Sequence, residues 1–157
     1  MSALSAQRPT ARGPPSSTLA SISTTPCANR LMAHVLIVDD NEINLRICKS
    51  LCELLGFTSE FARDGLEAVD AVRIGKFDLV LMDVCMPNMD GVEATLAIRS
   101  MSGVRAEVPI IAVTANAEPS EIKTYLQAGM RAVVEKPIRV SRLFEAIGDV
   151  FEAAAES

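Results

Sequence analysis

The stretch LVLMDVCMPNMDG, Leu79 to Gly91, decides the fold and raises the functional question with it. Four apolar residues run straight into a carboxylate, Asp83, and a turn-rich segment follows at once. A short apolar run of this kind reads as a strand buried on both faces, the type found in parallel sheets. A lone aspartate just past a strand is ordinarily a turn residue or a helix cap. It becomes more than that only if other charged groups arrive at the same place.

Working outward from this strand, the same unit recurs. AHVLIV (33–38) is apolar and β-rich, and NEINLRICKSLCELLG (41–56) places Ile43, Ile47, Leu51, Leu54 and Leu55 on one helical face before stopping at Gly56. FTSEFA (57–62) is a second strand with a mixed, half-exposed pattern. DGLEAVDAVRIG (64–75) is a helix with Asp64 placed to cap it and Gly75 beyond its end. FDLVLM is the third strand, GVEATLAIRSM the third helix and PIIAVT the fourth strand. PSEIKTYLQAGM is a helix with Pro119 near its start and Gly129 after its end, and RAVVE and VSRLFEAIGDVFEAAA complete the series. Five strand-then-helix units predict an α/β fold, a doubly wound parallel sheet with right-handed crossovers and helices on both faces. Strands 1, 3 and 4 are the most apolar and belong at the centre, with strand 2 nearer an edge.

The chain of 157 residues fits one domain with an adequate core, and no apolar run reaches the eighteen or so residues that a membrane span needs. Cys27, Cys48, Cys52 and Cys85 have neither CxxC spacing nor the density of a secreted disulfide scaffold, so a reducing cytoplasm is the expected compartment. Cys48 and Cys52 lie one helical turn apart but lack further Cys or His ligands for a tetrahedral site, and read as core filling. Charge divides unevenly. Residues 1–31 carry Arg8, Arg12 and Arg30 and no acid, whereas the remainder has 12 basic against 20 acidic residues, a net charge of −8. An acidic body disfavours direct nucleic-acid binding, which depends on neutralising phosphates with Lys and Arg.

Residues 1–31 hold six Ser, four Thr and four Pro without amphipathic period or a secretory apolar core. They read as a disordered leader. The composition also matches an organellar transit peptide, and Met32, immediately before the first strand, is a candidate true start. The structured unit is expected over 32–157.

In an open parallel sheet, ligands bind outside the carboxyl ends of the strands. Strand 1 ends in Asp39 and Asp40, strand 3 in Asp83, strand 4 in Thr114 and strand 5 in Lys136. Each alone has an ordinary explanation as a cap, a turn residue or a solvated lysine. Together they place three carboxylates where mutual repulsion raises their pKa values unless cations neutralise them. Mg²⁺, a hard cation held by one or two carboxylates plus phosphate oxygens, suits such a cluster. Lys136 adds a point charge and Thr114 a hydroxyl for phosphoryl oxygens, and a carboxylate is a competent nucleophile toward phosphorus. Asp83 therefore reads as the group that takes a phosphoryl group.

With these residues in hand, VLIVDDNEINLRI, LVLMDVCMPNMDGVEA, PIIAVTANA and EKPI together resemble the receiver domain of two-component response regulators, over roughly residues 33–153. The likeness is to receivers of hybrid histidine kinases and to stand-alone regulators. It implies a flavodoxin-like (βα)5 fold of strand order 2-1-3-4-5, with Asp83 as phosphoacceptor and Asp39 and Asp40 as the Mg²⁺ pocket. It also implies the backbone carbonyl of Cys85 as a third protein ligand of the metal, Thr114 as switch hydroxyl and Lys136 as phosphate-binding lysine. Lys136–Pro137 is expected to be cis, Pro87 and Gly91 to shape the loop after Asp83, and Ala115 to leave room for a phosphodonor. One position departs: the family often carries an aromatic residue three positions before the lysine, where this chain has Val133. Coupling is then expected to run through the backbone after Thr114.

The resemblance implies a phosphoacceptor signalling domain, not an enzyme in its own right, that receives its phosphoryl group from a histidine kinase or histidine phosphotransfer protein. His34, the sole histidine, begins a strand and is not displayed on a helix as a donor, so the donor is another molecule. Few residues follow the last helix, which points to a single-domain regulator or phosphorelay shuttle whose output is contact with a partner protein. Three alternatives stay open. An aspartate-nucleophile phosphatase would carry an acid two residues after Asp83, where this chain has Cys85. A pseudo-receiver would lack the lysine or the acidic pair, and a piece of a larger hybrid kinase would share every feature above.

Overall fold

A computed structural model of the protein describes residues 33–156. The readings made for residues 1–31 and for Met32 lie outside the described residues. Five strands alternate with five helices: β1 (His34–Val38), α1 (Glu42–Leu54), β2 (Thr58–Ala62), α2 (Gly65–Ile74), β3 (Leu79–Asp83), α3 (Gly91–Arg99), β4 (Ile110–Thr114), α4 (Pro119–Ala128), β5 (Ala132–Glu135) and α5 (Val140–Glu156). A 3-10 turn, Gly103–Glu107, links α3 to β4. All pairings are parallel, as the alternation of elements predicts, and the strand order is 2-1-3-4-5, as the resemblance implies. The chain winds from β1 outward to β2, then back past β1 to β3, so the reversal falls between β1 and β3.

β3 and β4 are buried at every position, which accounts for their unbroken apolar sequence, while β2 at the edge is mostly exposed. The core divides into two layers, one on each sheet face. Leu36, Val38, Val80, Met82, Ile110 and Ala112 pack toward α2, α3 and α4. Val35, Ile37, Leu79, Leu81, Ile111 and Val113 pack toward α1 and α5. Alternate residues of each strand thus face opposite layers.

Helix ends follow local chemistry. Asn41 caps α1 through its side chain to the Ile43 N–H, Asp64 caps α2 as expected, and Asp90 with Glu93 forms a reciprocal capping box on α3. Gly129 closes α4 at φ +114°, in the left-handed region where a glycine costs least.

The face assigned to α1 needs correction. Leu45, Cys48 and Cys52 are the buried residues, with Leu51 and Leu55 packed partly against them, whereas Ile43, Ile47 and Leu54 are exposed. The helix carries two interleaved apolar stripes, and the larger residues lie on the outer one. The reading of Cys48 and Cys52 as core filling holds. Burial pushes both thiols up to about 12, so they remain protonated and inert.

Candidate functional site

At the winding reversal, the carboxyl ends of β1 and β3 lie side by side. Asp83 is the last residue of β3 and Asp39 follows β1 directly; both are buried. The Asp39 backbone is fixed by donation from its N–H to the Ala62 carbonyl at 3.1 Å, and its side chain accepts from the Asn41 N–H at 2.8 Å. Asp40 is exposed. One carboxylate oxygen from each of Asp39, Asp40 and Asp83 lies within 4.8 Å of the others. The structure thus brings together the three acids that the sequence singled out.

Lys136 reaches the same place from beyond β5, because its N–H donates to the Thr114 carbonyl at 2.7 Å and ties the two strand ends together. Its Nζ lies 3.1 Å from Asp83 Oδ1 and 3.3 Å from Asp39 Oδ2. Lys136–Pro137 is cis, as the resemblance implies. Burial pulls the ammonium down, but the attraction of Asp83 and Asp39 prevails and holds its pKa above the ordinary value. The Asp83 carboxyl is pushed up to about 6. Withdrawal from water is the first cause and the charge of Asp39 the second, opposed by Lys136. Repulsion between the acids, the reason given from sequence, is real but secondary to burial.

One ammonium faces three carboxylates, so negative charge remains in excess when Asp83 is ionised. An all-oxygen donor set, two groups buried and one open to solvent, fits a hard divalent cation that keeps part of its water shell. Asp39, Asp40 and Asp83 are the side chains that would hold it. The Cys85 side chain, two residues past Asp83, is exposed.

The loop after Asp83 is held by its surroundings. A Cβ on Gly91 would stand 2.4 Å from the Asp83 carbonyl oxygen, so only glycine admits this return of the chain. Asn88, at φ +68°, donates through Nδ2 to Asp64 Oδ2 at 2.8 Å, and the Gly65 N–H donates to the Met89 carbonyl at 3.1 Å. The α2 cap therefore also anchors the loop.

Thr114 ends β4 and is buried. Its hydroxyl is engaged by its own loop, donating to the Asn116 carbonyl at 3.1 Å and accepting from the Asn116 N–H at 3.0 Å. A further buried group, Tyr125 of α4, places its hydroxyl 3.5 Å from Thr114 Oγ1. Sequence reasoning passed over Tyr125; its signal was a polar-tipped aromatic, the only tyrosine of the chain, on the helix face that also carries Ala128. Val133 packs partly buried against the same core layer. His34 lies at the opposite edge of the sheet, its ring held by Thr58 Oγ1 at 2.7 Å and Glu60 Oε2 at 2.8 Å.

Comparison with known proteins bears on this geometry. The family model described as the response regulator receiver domain matches residues 35–148. The transcription factor SKN7 of Candida albicans is 41% identical over 127 residues, which cover 81% of this chain but 22% of that protein. The chain thus spans about a fifth of that relative. The polar-differentiation response regulator DivK of Brucella anthropi is 39% identical over 113 residues, 72% of this chain and 91% of that regulator. Among solved structures, the receiver domain of a Pseudomonas aeruginosa sensor histidine kinase, with a magnesium ion coordinated in its active site cleft, superposes with a TM-score of 0.70 at 32% identity. That match covers 76% of this chain and 98% of the other.

Proposed function

The chain belongs to the response regulator receiver domain family, and we propose that within it Asp83 accepts a phosphoryl group from a partner's phosphohistidine, with Mg²⁺ held by Asp39, Asp40, Asp83 and the Cys85 carbonyl. The observation that carries this reading is the buried Asp83 carboxylate, meeting both a second buried acid and the Lys136 ammonium at the sheet's winding reversal. A pKa near 6 leaves Asp83 ionised at neutral pH and available as a nucleophile.

In the transfer, an Asp83 oxygen bonds to phosphorus as the phosphorus–nitrogen bond of the donor imidazole breaks. The imidazole nitrogen keeps the electron pair and takes a proton from solvent. Lys136, already 3.1 Å from Asp83, follows the new charge onto a phosphoryl oxygen, and Thr114 donates its hydroxyl to another. When bound, the metal ion supplies charge neutralisation for the phosphoryl oxygens. Ala115, exposed beside Thr114, leaves the approach open.

Family members take phosphoryl groups from histidine kinases, and a histidine kinase or histidine phosphotransfer protein is the donor proposed here. The likeness to DivK, a response regulator matched over 91% of its length, supports action as a unit by itself, and its output in this proposal is phosphorylation-dependent contact with a partner protein. The phosphatase alternative has no acid at position 85 to support it.

The test is incubation with acetyl phosphate followed by intact mass measurement. The protein should gain one phosphoryl group with Mg²⁺ present and none without it. Asp39→Ala/Asp40→Ala should be labelled at least about tenfold more slowly, the loss expected for removing roughly 1.4 kcal/mol of metal-assisted stabilisation. Labelling of Asp83→Asn to the same level as the wild type would contradict the assignment.

A further inference from the structure

Thr114 has one hydroxyl proton, and in this structure the Asn116 carbonyl receives it at 3.1 Å. If Thr114 turns that proton to a phosphoryl oxygen on Asp83, as the function proposed above requires, the Asn116 carbonyl loses its donor. Asn116 itself lies on an exposed loop, but its carbonyl faces two buried side chains, Thr114 and Tyr125, and on that side a lost donor is made good most directly by another side chain. A replacement donor close by would therefore decide how readily Thr114 turns.

Such a donor stands in place. Tyr125 is only 4% exposed, and its hydroxyl lies 3.5 Å from the Asn116 carbonyl and 3.5 Å from Thr114 Oγ1. Both distances are beyond those of a well-made O–H···O bond, although a buried tyrosine hydroxyl normally has a close partner. Tyr125 is thus under-satisfied in the resting state, beside the carbonyl that phosphorylation would strip. Val133 on neighbouring β5 has no polar atom to offer, so among these two core neighbours only the α4 side chain can serve.

We propose that Tyr125 is the positioning residue of the Thr114 switch: its hydroxyl closes onto the Asn116 carbonyl as Thr114 turns to the phosphoryl oxygen. The hydrogen bonds balance in both states. At rest the Thr114 proton goes to the Asn116 carbonyl; after transfer it goes to phosphate and the Tyr125 proton takes its place, while the Asn116 N–H stays on Thr114 Oγ1. The movement is drawn into α4 from one end. The carboxyl end of that helix is pinned, because Arg99 donates to the Gly129 carbonyl from Nε at 3.1 Å and from Nη2 at 2.7 Å. Its amino end has no side-chain cap on the helix N–H groups, so the first turn is the end free to respond.

The chain has one tyrosine and no tryptophan, so its tyrosine emission reports Tyr125 alone. The full chain is titrated with beryllofluoride and Mg²⁺, following bound fluoride by fluorine NMR and emission in parallel, for the wild type and for Tyr125→Phe. Wild-type emission should change in step with the bound signal. Tyr125→Phe should bind beryllofluoride about two- to tenfold more weakly, the range for one neutral hydrogen bond. Its melting temperature without ligand should not fall, because the resting hydroxyl has no close partner to lose. A lowered resting melt, unchanged emission on a bound wild type, or equal affinity of the two proteins would each overturn the inference. A wild type with no bound fluoride signal would overturn the phosphoacceptor reading itself.

Discussion

Arg99 and Asp83 are both charged groups drawn away from water at opposite edges of one sheet, and their surroundings differ in kind. Arg99, at the end of α3, donates from Nη1 to the carbonyls of Ala106 and Val108, each at 2.8 Å, and from Nε and Nη2 to that of Gly129. Those carbonyls belong to the segments leading into β4 and β5. Burial and the charge of Arg131 lower the Arg99 pKa, yet a guanidinium stays charged, and its fork is filled by backbone acceptors. Even the space beside it is taken, since a Cβ on Gly129 would stand 2.8 Å from Arg99 Nε. At the carboxyl edge, Asp83 shares one ammonium with Asp39, and Asp40 adds a third charge nearby. A satisfied buried charge holds the fold together. Asp83 has a partner too, but it shares that ammonium with a second acid, which leaves negative charge in excess where a cation can bind.

The comparison breaks most visibly at Arg99. Arg99→Leu removes the donors of three carbonyls and should cost about 2–4 kcal/mol of stability, read as a lower midpoint in urea. The folded fraction should still accept a phosphoryl group on Asp83, since no atom of the site is touched.

Asp83→Asn should act in the opposite direction. The Asp83 carboxyl binds its proton more tightly in the folded protein, at about 6, than in the unfolded chain, where its ordinary value is 3.8. The folded state is therefore favoured while the group is protonated in both states, below the ordinary value. That advantage fades as pH rises and is gone above about 6. Replacing the acid with Asn removes this penalty, so without metal the variant should be more stable than the wild type by on the order of 2 kcal/mol at pH 7.5. The gain should shrink toward zero near pH 4. A constant difference across that range would mean that Asp83 is not held as an unfavourable buried charge.

The alternation of strands and helices, the edge position of β2 and the meeting of Asp39, Asp40, Asp83 and Lys136 were all legible in the sequence. Burial on both faces leaves β3 and β4 as unbroken apolar runs, and parallel winding sends every strand's carboxyl end to one edge. The buried face of α1 was not legible, because Ile43, Ile47 and Leu54 outweigh Leu45, Cys48 and Cys52 in any reading by hydrophobicity, and only packing selects the smaller set. Arg99 and Tyr125 escaped for a related reason. Each has its neighbours only in the folded chain: the Gly129 carbonyl 30 residues away for one, and the Asn116 carbonyl 9 residues away and Thr114 Oγ1 11 residues away for the other.

The Asp83 carboxylate itself should carry the transferred group. Borohydride reduces an acyl phosphate to an alcohol and leaves a free carboxylate untouched, so treatment after incubation with acetyl phosphate and Mg²⁺ marks the phosphorylated residue permanently. Peptide sequencing by mass should then find the reduced side chain at position 83 alone, and only in the sample that held Mg²⁺. Recovery of intact Asp83 from protein that had gained the phosphoryl mass, with the modification on another residue, would contradict the account.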